Sequence, residues 1–200
     1  MAEKFFDIYI VGVGGQGVLT ISDIITKAAY DRDMPVNYYP TKGMAQRGGF
    51  VKVQLRLGRR HCGPDIPLHG ADLLVSMELS ETLKGIVYLK EGGECFLYAN
   101  KWLPTAVMLG KAPYPELESV CGQVKGAGGE AKCLSPDAKP LYDGAPVRDN
   151  LFVLGGMMKN TALSKIFTVK EIEDCIIAKW PKAADGNLFT FRAGLEAPLI

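Results

Sequence analysis

The stretch Phe6–Gly17 reads FDIYIVGVGGQG, an apolar run that stops at a glycine-rich turn. Gly12, Gly14 and Gly17 have the G-x-G-x-x-G spacing. Between a strand and a helix, that spacing aims backbone N–H groups and the positive end of the helix at one point, which suits a phosphate. Gly15 lies inside the turn, and Gln16 sets a carboxamide at the helix entrance, able to hydrogen-bond a ligand or a facing loop. A second stretch, Thr41–Gly49, reads TKGMAQRGG and follows the next predicted strand. Gly43, Met44, Gln46, Arg47, Gly48 and Gly49 carry its character: close backbone approach at the glycines, hydrogen bonds from Gln46, and a guanidinium that can fork onto a carboxylate or phosphate. In a parallel sheet both loops fall at the carboxyl edge, where exposed N–H groups and positive charge suit an anion or a tightly approached interface.

Other chemistry-bearing residues are sparse. The five cysteines, Cys62, Cys95, Cys121, Cys133 and Cys175, form no C-x-x-C pair, so the local spacing of an iron–sulfur cluster or zinc ribbon is missing. Their odd number predicts reduced, packed thiols. His61 and His69 share one loop with no third ligand nearby, which predicts surface residues rather than metal ligands. No general acid–base pair stands out, so the chain is expected to contribute no catalytic side chain and to hold no metal. An NAD(P) site would also want an Asp or Glu about 20 residues beyond the glycine turn. The corresponding tip is Tyr38-Tyr39-Pro40-Thr41, without a carboxylate. Lys42 or Arg47 can face a 2′-phosphate there, but no acid–base partner accompanies them. The residues alone leave three readings open: an independent NAD(P)-binding oxidoreductase, a purely structural α/β module whose glycines serve packing, and a docking face that works with other chains.

The elements that position these loops read as one α/β domain over residues 1–200. The chain has 200 residues, 48% of them hydrophobic, and a formal net charge of +1. That composition excludes a disordered chain and a basic nucleic-acid surface. No apolar run reaches the ~20 residues of a membrane span. The opening MAEKFFDIYIV sets charges before a short, β-branched run that meets a glycine turn, so it predicts a strand and not a signal peptide, and with it a cytoplasmic location.

Strands are predicted at Phe6–Val11, Pro35–Tyr39, Phe50–Leu57, Ala71–Met77, Glu94–Ala99 and Ala131–Leu134. Helices are predicted at Val18–Tyr30, Glu78–Leu89, Pro115–Val124, Leu151–Leu163 (with Asp149 as N-cap), Val169–Lys179 (with a Thr168/Glu171 capping box) and Asn187–Leu195. Glu91-Gly92-Gly93 reads as a turn and Pro136–Pro146 as irregular. Alternation in FVKVQLRL marks Phe50–Leu57 as half-buried and the best choice for an antiparallel strand. Strands alternating with helices predict a three-layer α/β/α sandwich around a mostly parallel sheet.

GVGGQG at Gly12–Gly17, with KGMAQRGGFV at Lys42–Val51 and LRLG at Leu55–Gly58, resembles the gamma subunit of 2-oxoacid:ferredoxin (acceptor) oxidoreductases. The likeness is strongest to the beta subunit of indolepyruvate oxidoreductases, the same module. It continues through ADLLVSMELSETL at Ala71–Leu83, DNLFVLGGM at Asp149–Met157 and FRAGLE at Phe191–Glu196, nearly the whole chain. The resemblance implies a Rossmann- or flavodoxin-like gamma-type domain in an oxidoreductase complex. Such a complex decarboxylates a 2-oxoacid, with indolepyruvate the first choice, to acyl-CoA and CO₂. It implies thiamine diphosphate and iron–sulfur clusters in larger partner subunits, ferredoxin as the indirect electron acceptor, and an isolated chain that is inactive. It leaves open a homodimer for the isolated chain and contact with coenzyme A. Gly12, Gly14, Gly15, Gln16 and Gly17 would be the ligand-facing positions, and Gly43 to Gly49 the second wall.

Overall fold

The computed structural model describes residues 5–41 and 48–200. Strand β1 (Phe6–Val13) runs through the glycine turn into helix α1 (Val18–Tyr30), which leads to β2 (Val36–Thr41), β3 (Phe50–Leu57) and β4 (Ala71–Ser76). A single turn, α2 (Thr82–Gly85), and a 3-10 turn at Ile86–Tyr88 then lead into β5 (Leu89–Tyr98). After α3 (Thr105–Met108), α4 (Leu117–Gly126) precedes β6 (Glu130–Leu134). A two-strand ribbon, β7 (Leu141–Tyr142) and β8 (Ala145–Pro146), precedes α5 (Asp149–Asn160), α6 (Val169–Lys179) and α7 (Ala184–Glu196).

The six-stranded sheet has the order β2-β3-β1-β4-β5-β6. Strands β1, β4, β5 and β6 run parallel, and β3 is antiparallel to both its neighbours, β1 and β2. The strand singled out as antiparallel is the one reversed strand of this sheet, but it is not half-buried: its polar residues Gln54 and Arg56 are buried along with Val53, Leu55 and Leu57. Its position was not legible. Sitting between β1 and β2, it moves the β2 tip about 10 Å from β1, two strand spacings instead of one.

Alternate residues of β1 feed two cores. Ile8 and Ile10 pack with α1, α5, α6 and α7, through residues such as Ile21, Ile25, Phe152 and Phe191. Tyr9 and Val11 face the other side, with Leu74, Cys95, Leu97, Val120 and Val124. That second face is more thinly covered. Beside α2 and α4, the segment 58–70 lies over β1 and β3. Arg56 on β3 donates to the Gly63 and Asp65 carbonyls (3.1 and 3.0 Å) and Gln54 receives the Ile66 N–H (2.6 Å).

The helix predicted over Glu78–Leu89 is shorter than expected. Gly85 lies so close to Leu74 that a Cβ there would stand 2.5 Å from a leucine methyl, and the chain tightens into the 3-10 turn before Leu89 joins β4. Glu91-Gly92-Gly93 is an irregularity inside β5, where the register with β4 shifts, and not a turn between elements. Asp149 is the first residue of α5, with Arg148 at the N-cap; its carboxylate instead accepts the Tyr98 hydroxyl (2.8 Å) and Lys139. The Thr168/Glu171 capping box of α6 forms in full.

Candidate functional site

β3 begins where β1 ends because the two strands run in opposite directions, so the chain on either side of them meets at the carboxyl edge. The ladder from Phe6↔Leu57 to Val13↔Phe50 continues past both strands. The Gly14 N–H donates to the Gly49 carbonyl (2.8 Å), and the Gly48 N–H approaches the Gly14 carbonyl (3.4 Å). The two glycine turns are thus joined backbone to backbone. Gly43, Met44, Gln46 and Arg47 lie outside the described residues.

Within the first turn the glycines have different jobs. A Cβ on Gly12 would fall 2.8 Å from Val18 Cγ2 and 2.9 Å from Met77 Cβ, so its absence lets β1, α1 and the end of β4 close together. Gly17 is the N-cap of α1 in the left-handed region (φ 83°), with the Asn150 side chain against it. Gly15 also has a positive φ, 105°, but among the described residues nothing lies within 4 Å of where its Cβ would be. Among the described residues, no acceptor is within reach of the Gly17, Val18 or Leu19 N–H groups, as expected for the first turn of a helix. Asn150, 8% exposed at the start of α5, accepts the Leu151 N–H through Oδ1 (2.8 Å). Its Nδ2 has no hydrogen-bond partner among the described residues.

Gln16 turns inward rather than toward a ligand. Its Oε1 accepts the Val13 N–H (2.8 Å) and its Nε2 donates to the Met77 carbonyl (3.0 Å). The last backbone pair between β1 and β4 is Val11↔Ser76, and the Met77 N–H then reaches the Val11 carbonyl (3.0 Å). The carboxamide supplies the next rung. The β1-to-β2 crossover passes over one face of the sheet and the β4-to-β5 connection over the other, so the gap between β1 and β4 is the switch point where α/β folds usually admit a ligand. Here the chain closes that gap with its own side chain.

One buried carboxylate escaped the sequence reading. Glu78, fully buried just beyond β4, accepts from Ser80 Oγ (2.7 Å), the Glu81 N–H (2.8 Å), the Trp102 N–H (3.1 Å) and the Tyr114 hydroxyl. Burial pushes the Tyr114 hydroxyl far above its ordinary range, and its bond to Glu78 adds to that. Burial beside Asp149 raises Tyr98 in the same way. Both phenols therefore stay protonated as donors. The available signal was the lone carboxylate directly after an apolar strand, in LLVSMELS. Through Trp102, Glu78 anchors an exposed apolar lip of Trp102, Leu103, Met108 and Leu109. Trp102 Nε1 lies beside Gly48, 3.8 Å from where its Cβ would be.

The five cysteines are free thiols, and no three described His, Cys, Asp or Glu side chains stand together as a metal site. His61 and His69 are exposed. No described helix is long and apolar enough to cross a membrane.

Residues 7–197 match the family model described as pyruvate ferredoxin/flavodoxin oxidoreductase. The chain is 32% identical over 191 residues to the indolepyruvate oxidoreductase subunit IorB of Archaeoglobus fulgidus, covering 94% of this chain and 92% of that protein. It is equally similar, 32% over 196 residues, to the IorB subunit of Thermococcus kodakarensis, covering 97% and 96%. Among solved structures, the pyruvate oxidoreductase subunit PORC of Thermotoga maritima shares the fold with a TM-score of 0.68 at 21% identity, covering 97% of both chains. The 2-oxoglutarate:ferredoxin oxidoreductase of Magnetococcus marinus, solved with 2-oxoglutarate, coenzyme A and succinyl-CoA bound, aligns with a TM-score of 0.64 at 16% identity. The match covers 96% of this chain and 30% of that longer one. The chain therefore belongs to the pyruvate ferredoxin/flavodoxin oxidoreductase family, as a gamma-type subunit of a 2-oxoacid oxidoreductase.

Proposed function

We propose that this chain forms, in a thiamine diphosphate- and iron–sulfur-dependent complex, the face that meets a larger partner subunit and borders the coenzyme A that accepts the acyl group. The observation that carries this reading is the backbone junction of the two glycine turns, Gly14 N–H to the Gly49 carbonyl at 2.8 Å. It joins the turn Gly14–Gly17 to Gly48 and Gly49 as one rim, and the proposal extends the second wall back to Gly43. The rim is bordered by the α1 amides on one side and by the Trp102–Leu109 lip on the other. The α1 amides suit the phosphates of coenzyme A, and Asn150 Nδ2 stands beside them. Exposed apolar side chains next to close-approach glycines suit a protein surface. Coenzyme A, when bound, supplies the thiol that accepts the acyl group; this chain's residues would hold its anionic end and orient it. Thiamine diphosphate and the clusters are assigned to the partner. The electrons leave through that partner to ferredoxin.

Aryl pyruvates such as indolepyruvate are the proposed substrates, on the likeness to the IorB subunits, and the proposed location is the cytoplasm. The reading is tested by co-purification from the native host, with a thiamine- and iron–sulfur-containing partner as the expected result. A monomer or homodimer at native abundance with no such partner would overturn it. In the reconstituted complex, Arg47→Ala is expected to weaken coenzyme A dependence by about 1–3 kcal/mol, the worth of a hydrogen bond to a charged group, while the unfolding midpoint stays put. Unchanged turnover and unchanged coenzyme A dependence would remove Arg47 from the proposed coenzyme A contact. The independent NAD(P) reading is disfavoured by Gln16 in the switch-point gap and by β3 between β1 and β2. Saturable binding of NADH or NADPH to the pure chain would revive it.

A further inference from the structure

Helix α4 packs on the second face of the sheet and sets Cys121 against Cys133 on β6, the edge strand. The two sulfurs lie 3.3 Å apart. A disulfide needs about 2.05 Å, so little more than ~1 Å of closure separates the pair from a covalent bond. The two thiols differ in access. Cys121 is partly exposed, and Cys133 is 5% exposed. Burial, with the bond to Cys121, pushes the Cys133 thiol up to about 12. Cys95, on β5 of the same face, is fully buried behind them. Cys62 and Cys175 are engaged elsewhere, by Asn37 and Asp31.

We propose that Cys121 and Cys133 are a reversible dithiol–disulfide site whose oxidant is a low-molecular-weight disulfide. The Cys121 thiolate attacks one sulfur of RS–SR, forming Cys121–S–SR and releasing RS⁻, which takes a proton to become RSH. Cys133 then gives its proton to solvent and attacks the Cys121 sulfur. The mixed disulfide breaks, a second RSH leaves, and a Cys121–Cys133 bond remains. Two protein thiols lose two electrons, and one RS–SR becomes two RSH. The asymmetry of exposure gives the order: Cys121 meets the reagent, and Cys133 resolves it. The bond ties α4 to β6. Tyr114, which donates to Glu78, lies just before α4. The site stands independently of the proposed function.

The experiment exposes the full, folded chain to oxidised glutathione without air, blocks free thiols, and maps linked peptides by mass spectrometry. The expected product has lost two hydrogens, carries one Cys121–Cys133 link, and returns to the dithiol with dithiothreitol. Cys133→Ser should trap glutathione on Cys121 as a mixed disulfide that persists. Cys121→Ser should leave Cys133 unmodified. Phenylarsine oxide, which bridges adjacent thiols without a redox change, should bind the native chain one-to-one and be lost in either variant. The native chain alone decides the matter if a variant fails to fold. A link to Cys95, purely intermolecular disulfides, a mixed disulfide that persists on native Cys121, or no reaction until the chain is unfolded would each overturn the proposal.

Discussion

Two glycine-rich regions of this molecule look alike in sequence and differ in what surrounds them. Where α5 crosses α7, a Cβ on Gly155 would fall 2.0 Å from the Phe191 carbonyl oxygen, and one on Gly194 would fall 2.0 Å from that of Phe152. The two helix backbones touch, and no side chain can move aside to admit a methyl group. At the rim, among the described residues, a Cβ on Gly15 would meet nothing within 4 Å and one on Gly48 would meet Trp102 at ordinary contact distance, 3.8 Å. The crossing needs its glycines to fold; among the described residues, packing does not demand glycine at the outer rim positions. Gly12 and Gly17 sit between these extremes, in the motif but packed from within. A glycine motif therefore divides by what a Cβ would meet, and only its open members point outward.

The largest expected effect is at the crossing. Gly155→Ala or Gly194→Ala should destabilise the chain by at least about 3 kcal/mol, the upper range of overpacking, read as a fall in the urea midpoint. A midpoint within experimental error of the parent would break the comparison at once. Next is the anchor of the apolar lip. Glu78→Gln turns part of a four-donor acceptor into a donor and should cost about 2–3 kcal/mol. Faster proteolysis near Trp102 would accompany it, and an unaltered cleavage pattern would detach the lip from Glu78. Gln16→Ala removes the side-chain rung between β1 and β4 and leaves the Val13 N–H and Met77 carbonyl without these partners. A loss of about 1–3 kcal/mol is expected, together with slower growth of a heat-stable complex. If assembly fails while the isolated chain keeps its stability, Gln16 acts outward after all. The smallest effect on folding belongs to Gly15→Ala, about 1 kcal/mol for a left-handed backbone that now carries a Cβ, with a larger loss in assembly or coenzyme A dependence. Equal, small effects on both would make the open glycines conformational only.

Much of this architecture was readable because it is local. The bounds of α1 follow from the spacing of Leu19, Ile21, Ile24, Ile25 and Ala28, and the start of α6 from the Thr168/Glu171 box. The reversal of β3 was read from its alternation, although Gln54 and Arg56 are buried. What periodicity does not carry is which strand pairs with which, so β3's place between β1 and β2 came only from the sheet itself. The inward turn of Gln16 was hidden for a related reason: a polar side chain at a helix entrance can face either way, and its partner, Met77, is 61 residues distant. Glu78 is legible as an oddity but not as an anchor, since its four donors come from three separate stretches of chain. The meeting of Gly14 with Gly49 was expected from the shared carboxyl edge. The backbone bonds that join them depended on β3 running the other way.

The rung supplied by Gln16 has a kinetic meaning. With the gap between two parallel strands already bridged from inside, the first turn can be held in shape before any other molecule arrives. Encounter there would resemble two rigid bodies fitting together, with little loss of chain entropy on contact. Association through this turn should then be governed by diffusion and orientation rather than by a slow rearrangement of the subunit.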